Sequence, residues 1–421
     1  MEKPGQERKT VLENFLSLSS LQGVNYILPL IVLPYLIRVL GPEKIGLIAF
    51  AQSLVQYFII LTDYGFNLSA TRQISLYREH KTQLRQIFTS VLTVKLILVV
   101  ISFFVMMLIV NTFPRFQQDW LLYALSFGAV LGNALFPGWM FQGTEKMKYI
   151  AFLNIACGIL YAASVIIFIR KPEDFLYVPL FNSIFFIITG LLGLYTAFRK
   201  FDLLFVGRSA DDIMRQFKAG WAYFISVVAI NTYTASRIFA VGLLTNNMLT
   251  GYYAIAEKIA GAIQTFPLDS LSQAVYPRFN KICQVSQQKA FNLMKKVQGS
   301  ITFIYLLIIP LAFLAARLIV KLVCGHAYPE VVTCLRLLLI SVFFVVANAL
   351  RVQFLLVCAR QDIYSKMHIA AALTGLPLTF ILIIYYSYRG AAISTIVIEA
   401  AVLICTWKVL QKLQIQNPNK H

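Results

Sequence analysis

The chain has 421 residues, of which 59% are hydrophobic and only 13% charged, with a mean hydropathy of +0.72. That is far more apolar surface than a water-soluble fold of this length buries, so the composition excludes a soluble globular protein and requires lipid as solvent. The excess of 37 Lys and Arg over 18 Asp and Glu would suit nucleic acid in a soluble chain, but no RNA-binding or zinc-finger motif accompanies it; in a membrane protein it first reports topology.

In chain order, apolar runs of about 20 residues predict membrane-spanning helices near 15–37, 45–66, 87–110, 120–141, 149–169, 175–198, 219–243, 250–275, 299–323, 331–356, 366–387 and 390–408. The first run is too long for a signal-peptide core and lacks a small-residue cleavage site, so it is read as a retained helix. The fold class expected is an all-α integral membrane protein of about twelve transmembrane helices. Loops are short, and none has room for a separate soluble catalytic domain.

Lys and Arg concentrate on alternate loops, such as Arg72 to Arg85, Arg199 to Lys218 and Arg278 to Lys296, and on both tails. The opposite face carries only Lys44, Arg115, Arg170, Lys171, Lys321 and Arg389. This asymmetry puts both termini in the cytoplasm.

An internal repeat lays Gly46-Leu-Ile-Ala49-Phe-Ala51-Gln52 on Gly251-Tyr-Tyr-Ala254-Ile-Ala256-Glu257, both opening the second span of a six-span half. Halves with an even number of spans share orientation, which implies a pseudo-two-fold axis along the membrane normal. The domains read as a six-helix bundle over 1–198, a cytoplasmic connector over 199–218, and a second six-helix bundle with a short tail over 219–421. The connector mixes basic and apolar residues, and reads equally as an amphipathic surface segment or a plain loop.

Ionisable side chains inside spans are costly, about 2.5 to 3.5 kcal/mol each on insertion scales, so their placement carries the functional signal. Span 2 places Gln52, Gln56 and Asp63 on one helical face, and span 8 aligns Lys258, Thr265, Asp269 and Ser272. Occupying equivalent places in the repeat, these stripes are expected to face one another across a cleft. Span 1 adds Gln22, Asn25 and Tyr26, and span 7 offers Tyr233 and Arg237 at i and i+4. Lys95, Arg336, Arg351 and Glu399 complete the in-span set, with Arg38 and Arg72 near span ends.

Basic groups outnumber acidic ones here. A wet, cationic cavity suits a substrate carrying phosphate, with the amide and hydroxyl groups beside it suited to sugars. Snorkelling alone is sufficient for Arg38, Arg72, Arg317, Arg336 and Arg351 and is an even alternative for Lys95, while Arg38, Arg72 and Lys95 also stand as candidate cavity residues with Arg237, Lys258, Gln22, Asn25, Tyr26, Gln52, Gln56 and Tyr233. Asp63 has a structural reading, an ion pair with Arg72, and Glu399 reads as a protonated or paired carboxylate or as an ion-coupling group. The six cysteines and four histidines lack metal-ligand spacing, so no metal site is expected.

The run Ser19-Ser20-Leu-Gln22-Gly-Val-Asn25-Tyr26-Ile-Leu-Pro29, then Leu33-Pro34-Tyr-Leu-Ile-Arg38-Val-Leu-Gly41-Pro42-Glu43-Lys44-Ile-Gly46, and Asp63-Tyr64-Gly65-Phe66-Asn67-Leu-Ser-Ala70-Thr71-Arg72, resembles the bacterial O-antigen and polysaccharide flippase family. The likeness is strongest over about the first 90 residues. It implies membership of the multidrug/oligosaccharidyl-lipid/polysaccharide exporter superfamily, two six-helix bundles in a V, and a place in the bacterial inner membrane. It further implies translocation of an undecaprenyl-diphosphate-linked oligosaccharide between leaflets by alternating access, with no enzyme chemistry and no cofactor beyond coupling to a proton or sodium gradient. Partners implied are the lipid-linked oligosaccharide, membrane lipids, a polysaccharide polymerase and a chain-length regulator, and no nucleic acid. The rival transporter reading is a multidrug exporter of the same superfamily; a membrane polymerase is the rival of another class.

Overall fold

The computed structural model describes residues 4–203, 207, 210–357 and 361–416. In chain order the helices are α1 (Pro4–Asp63), α2 (Phe66–Leu76), α3 (Lys81–Thr112), α4 (Pro114–Gln117), α5 (Trp120–Leu135), α6 (Gly138–Gly143), α7 (Lys148–Phe168), α8 (Tyr177–Phe201), α9 (Ala210–Leu244), α10 (Asn247–Val285), α11 (Gln287–Cys324), α12 (Pro329–Val357), α13 (Gln361–Tyr386) and α14 (Tyr388–Gln416). Among the described residues, nine helices are long and apolar enough to cross a membrane. The fold is all-α and multi-pass. Large side chains left uncovered agree with a lipid solvent: Phe104, Leu108, Leu307, Leu311 and Leu314 are exposed on α3 and α11.

The predicted stretches 15–37 and 45–66 lie along α1, which is two helical segments meeting at a kink, with the second stretch running past the end of α1 at Asp63. The bend is at Gly41, with φ 75° and ψ 168°, a conformation that glycine alone adopts freely, followed by Pro42. α1 then stops at Asp63, where Tyr64 and Gly65 both take positive φ and redirect the chain into α2. Tyr64 stacks on Phe224 with ring centroids 4.7 Å apart.

Two units emerge from packing. The first is Met1–Gly41 with Phe50–Val228, and the second is Pro42–Ala49 with Ala229–His421. In the first unit, α5 lies along α8, with α7 on α8 and α3 on α5. Gly132 and Gly190 allow the close crossing of α5 and α8: a Cβ on Gly132 would stand 2.3 Å from the carbonyl carbon of Phe186, and one on Gly190 2.6 Å from the Gly132 oxygen.

In the second unit α12 is central, flanked by α10, α11 and α14, with α13 against α14. Gln298 ties α11 to α12. Its Nε2 donates to the Val346 carbonyl at 2.8 Å while its Oε1 accepts from the Leu350 amide at 3.0 Å.

The short segment Pro42–Ala49 of α1 is built into this second unit by an equally close crossing. A Cβ on Gly46 would lie 1.9 Å from the Asn247 carbonyl oxygen and 2.4 Å from the Gly251 nitrogen, and one on Gly251 would lie 1.9 Å from the Pro42 oxygen. The two glycines that the internal repeat makes equivalent therefore meet backbone to backbone.

Of the cysteines, Cys157, Cys324 and Cys334 are buried and free, Cys405 is exposed, and Cys283 is in a disulfide. Among the described residues no group of His, Cys, Asp and Glu is arranged to hold a metal ion.

Candidate functional site

α9, α10, α12, α13 and α14 enclose a cavity of about 340 Å³ in the second unit. Its polar wall comes from Arg237, Glu257, Gln264, Ser341, Asn348, His368, Thr395 and Glu399; the rest is apolar, including Leu338, Val342 and Val402. Arg237 on α9 and Glu399 on α14 form an ion pair, Nη2 to Oε1 3.6 Å, with side chains 11% and 13% exposed. One turn of α10 supplies the second carboxylate: the buried Tyr253 hydroxyl donates to Glu257 Oε1 at 3.3 Å. Gln264, two turns further along α10, lends its backbone carbonyl to the Tyr305 hydroxyl at 2.7 Å, which fixes α10 against α11.

The charge balance differs from the cationic cavity expected. Among the described lining residues, two carboxylates accompany one guanidinium and one imidazole. The two carboxylates share the chamber wall with hydroxyl and amide groups. The Oδ1 of Asn348 is buried without a hydrogen-bond partner. It is an acceptor left for a ligand or water.

The predicted site residues divide. Arg237 and Glu399 come together in the cavity. Lys258 does not line it and is exposed, as are Gln52, Gln56, Arg38 and Arg72. The side chains of Gln22, Asn25, Tyr26, Tyr233 and Asp269 lie outside the described residues.

Asp63 pairs with Lys95 rather than with Arg72. Lys95 Nζ donates to Asp63 Oδ1 at 2.9 Å, and Asn67 Nδ2 donates to Asp63 Oδ2 at 3.2 Å. Lys95 does not snorkel, because its side chain is 1% exposed and ends on this carboxylate. Arg72 is a helical turn and more beyond Asp63, past the break at Gly65, so the chain turn carries it away. Removing one member of such a pair strands a buried charge at a cost of about 3 kcal/mol or more. Lys95→Met is expected to lower the thermal midpoint of the purified protein, and Lys95→Met with Asp63→Asn to recover most of it. An unchanged midpoint in the single variant would show the pair to be dispensable.

Glu257 and His368 were not among the predicted site residues. The signal for Glu257 was present: a carboxylate inside an apolar run, at the repeat position of Gln52. The arrangement as a whole defines a multi-pass helical membrane protein with a polar, charge-paired chamber in its second unit.

The same fold is found in solved transporters. An inward-facing multidrug resistance MATE family transporter of the MOP superfamily matches with a TM-score of 0.74 at 13% identity, covering 93% of this chain and 96% of that one. The lipid II flippase MurJ in its inward closed conformation matches with a TM-score of 0.73 at 14% identity, over 94% of this chain and 87% of that one. In sequence, a putative O-antigen transporter of Escherichia coli (strain K12) is 29% identical over 92% of this chain and 94% of its own length. A second, of Shigella dysenteriae, is 25% identical over 95% of this chain and 100% of its own. The model of the polysaccharide biosynthesis protein family matches residues 11–283, and the chain belongs to that family.

Proposed function

We infer that this protein translocates an undecaprenyl-diphosphate-linked oligosaccharide from the cytoplasmic to the periplasmic leaflet of the bacterial inner membrane, by alternating access and without covalent chemistry. The observation that carries the reading is its likeness, along almost the whole length of both chains, to two putative O-antigen transporters. The hydroxyl and amide groups of the Arg237 chamber suit the sugars of such a head group. In this reading the twelve predicted spans form six-helix bundles over 1–198 and 219–421, joined by the connector 199–218, with both termini cytoplasmic. Asp63, Asp269 and Glu399 are the carboxylates assigned to ion coupling or structural pairing, and a polymerase and chain-length regulator are the partners.

A second reading is a multidrug exporter of the same superfamily. Two observations favour it: the fold likeness to MATE transporters is as close as that to the lipid flippase, and the two carboxylates of the chamber suit an organic cation. On these grounds the exporter is at least as well supported as the flippase.

Deleting the gene separates the two. In the flippase reading, the lipid-linked oligosaccharide accumulates where only cytoplasmic-leaflet probes reach it, surface polysaccharide disappears, and tolerance of organic cations is unchanged. Intact surface polysaccharide together with hypersensitivity to organic cations would replace the first reading by the second.

A further inference from the structure

A separate cavity of about 390 Å³ opens in the second unit at the lysine-rich ends of α11 and α14. It is lined by Lys295, Gly299 and Thr302 from α11, Arg351 from α12, and Trp407 and Gln411 from α14, over a floor of Phe291, Met294 and Leu410. None of its described lining residues is acidic, in contrast to the Arg237 chamber. Its two cations have neighbours on their own helices: the exposed Lys295 Nζ sits 4.7 Å above the centre of the Phe291 ring, and Arg351 Nη1 donates to the Ala347 carbonyl at 2.5 Å. That single bond leaves the other guanidinium donors of Arg351 to the cavity. Gln298, buried beneath, bolts α11 to α12 and so sets the spacing of the two cations.

The surroundings specify the shape of an occupant. Lys295, Gly299, Thr302 and Leu306 follow one another at i, i+4, i+7 and i+11, so one stripe of α11 runs from the cation into exposed apolar surface. Leu306 is 54% exposed, and Phe303, Ile304 and Leu307 beside it are exposed as well. Trp407, half exposed, and Ile404 border the mouth on α14. Indoles favour the boundary between lipid and water, which places the cavity at head-group depth with its apolar exit in the hydrocarbon. Lys296, Lys408 and Lys412 add positive potential around it.

We propose that this cavity binds the phosphodiester of an anionic membrane phospholipid, with Lys295 and Arg351 on the phosphate, Thr302 and Gln411 on the head group, and an acyl chain along the Thr302–Leu306 stripe. Two cations suit one phosphodiester, the neutral hydroxyl and amide beside them suit an uncharged polyol head group, and no lining carboxylate is present to meet a cationic one such as choline. The site is distinct from the Arg237 chamber and does not depend on which substrate the protein carries.

The test is native mass spectrometry of the full-length protein released from nanodiscs of phosphatidylglycerol and phosphatidylcholine. The parent protein is expected to retain phosphatidylglycerol selectively, and Lys295→Ala with Arg351→Ala to retain about tenfold less. Lys289→Ala, which removes a cation of α11 outside the cavity, is expected to change nothing. Should the double variant fail to fold, Gly299→Leu serves instead. A Cβ on Gly299 meets no atom within 4 Å, so leucine fills the cavity while both charges remain, and the same loss is expected. Equal retention of phosphatidylcholine, undiminished phosphatidylglycerol in these variants, displacement by inorganic phosphate alone, or retention only of a polyprenyl diphosphate would each overturn the assignment.

Discussion

Gly46→Val is expected to prevent accumulation of folded protein in the membrane. The new Cβ would fall 1.9 Å from the carbonyl oxygen of Asn247 and within 3 Å of the Gly251 backbone, so the helices themselves would have to part. Overpacking that side chains can absorb costs about 1–3 kcal/mol, and a clash with backbone on both sides has no such relief. Gly251→Val meets the Pro42 oxygen at the same distance and should fail equally. Gly261→Val, on the same helix with nothing within 4 Å of its Cβ, is the control expected to accumulate normally. Membrane quantities and detergent-resistant folding of the three variants decide the matter. Normal accumulation of both clashing variants would mean that the α1–α10 crossing is looser than described.

The second large effect is expected at the ion pair of the chamber. Arg237→Ala leaves Glu399 and Glu257 in one small space without their guanidinium, and breaking a buried pair in this way costs about 3–5 kcal/mol. The thermal midpoint should fall, and in the flippase reading surface polysaccharide should be lost. Arg237→Ala with Glu399→Ala removes the stranded charge along with its partner. That double variant should regain thermal stability while remaining inactive, which separates a role in transport from a role in folding. Recovery of both stability and transport would reduce the pair to a structural element. Lys258→Ala, by contrast, should leave surface polysaccharide intact, since Lys258 is exposed and does not line the chamber.

Much of the fold could be read from hydropathy alone, because in lipid every backbone polar group must be satisfied within its own helix and an apolar run of sufficient length has few alternatives. Most of the predicted stretches lie on one helix, while 45–66 runs past the end of α1 at Asp63 and 120–141 is interrupted between α5 and α6. What the pattern could not supply was helix rotation. Glu257 and Lys258 are neighbours in sequence but stand about 100° apart on a helix, so they cannot share a face. A stripe counted from Lys258 led to Thr265 and Asp269. The face that lines the chamber counts from Glu257 through Ala260 and Gly261 to Gln264. Both stripes fit a helical period, and only the packing of α10 on α12 and α14 chooses between them.

The same limit explains Lys95 and Asp63. Each was recognisable as an expensive in-span charge, yet which cation would meet Asp63 depends on how α3 lies beside α1. Arg72 was closer in sequence and lost to Lys95, because the positive-φ residues Tyr64 and Gly65 turn the chain between Asp63 and Arg72. Arg237 and Glu399, far apart in the chain, could be matched only once α9 and α14 were placed together.

The assignment of Pro42–Ala49 to the second unit has a consequence for dividing the polypeptide. A polypeptide beginning near residue 210 would carry all of α9 to α14 yet lack the stretch that fills the glycine-lined groove of α10. Made as two separately translated fragments cut in the 204–209 region, the protein should reassemble only when the amino-terminal piece donates that stretch in trans. Reconstitution of the halves would then behave as strand donation between fragments, not as docking of two finished modules.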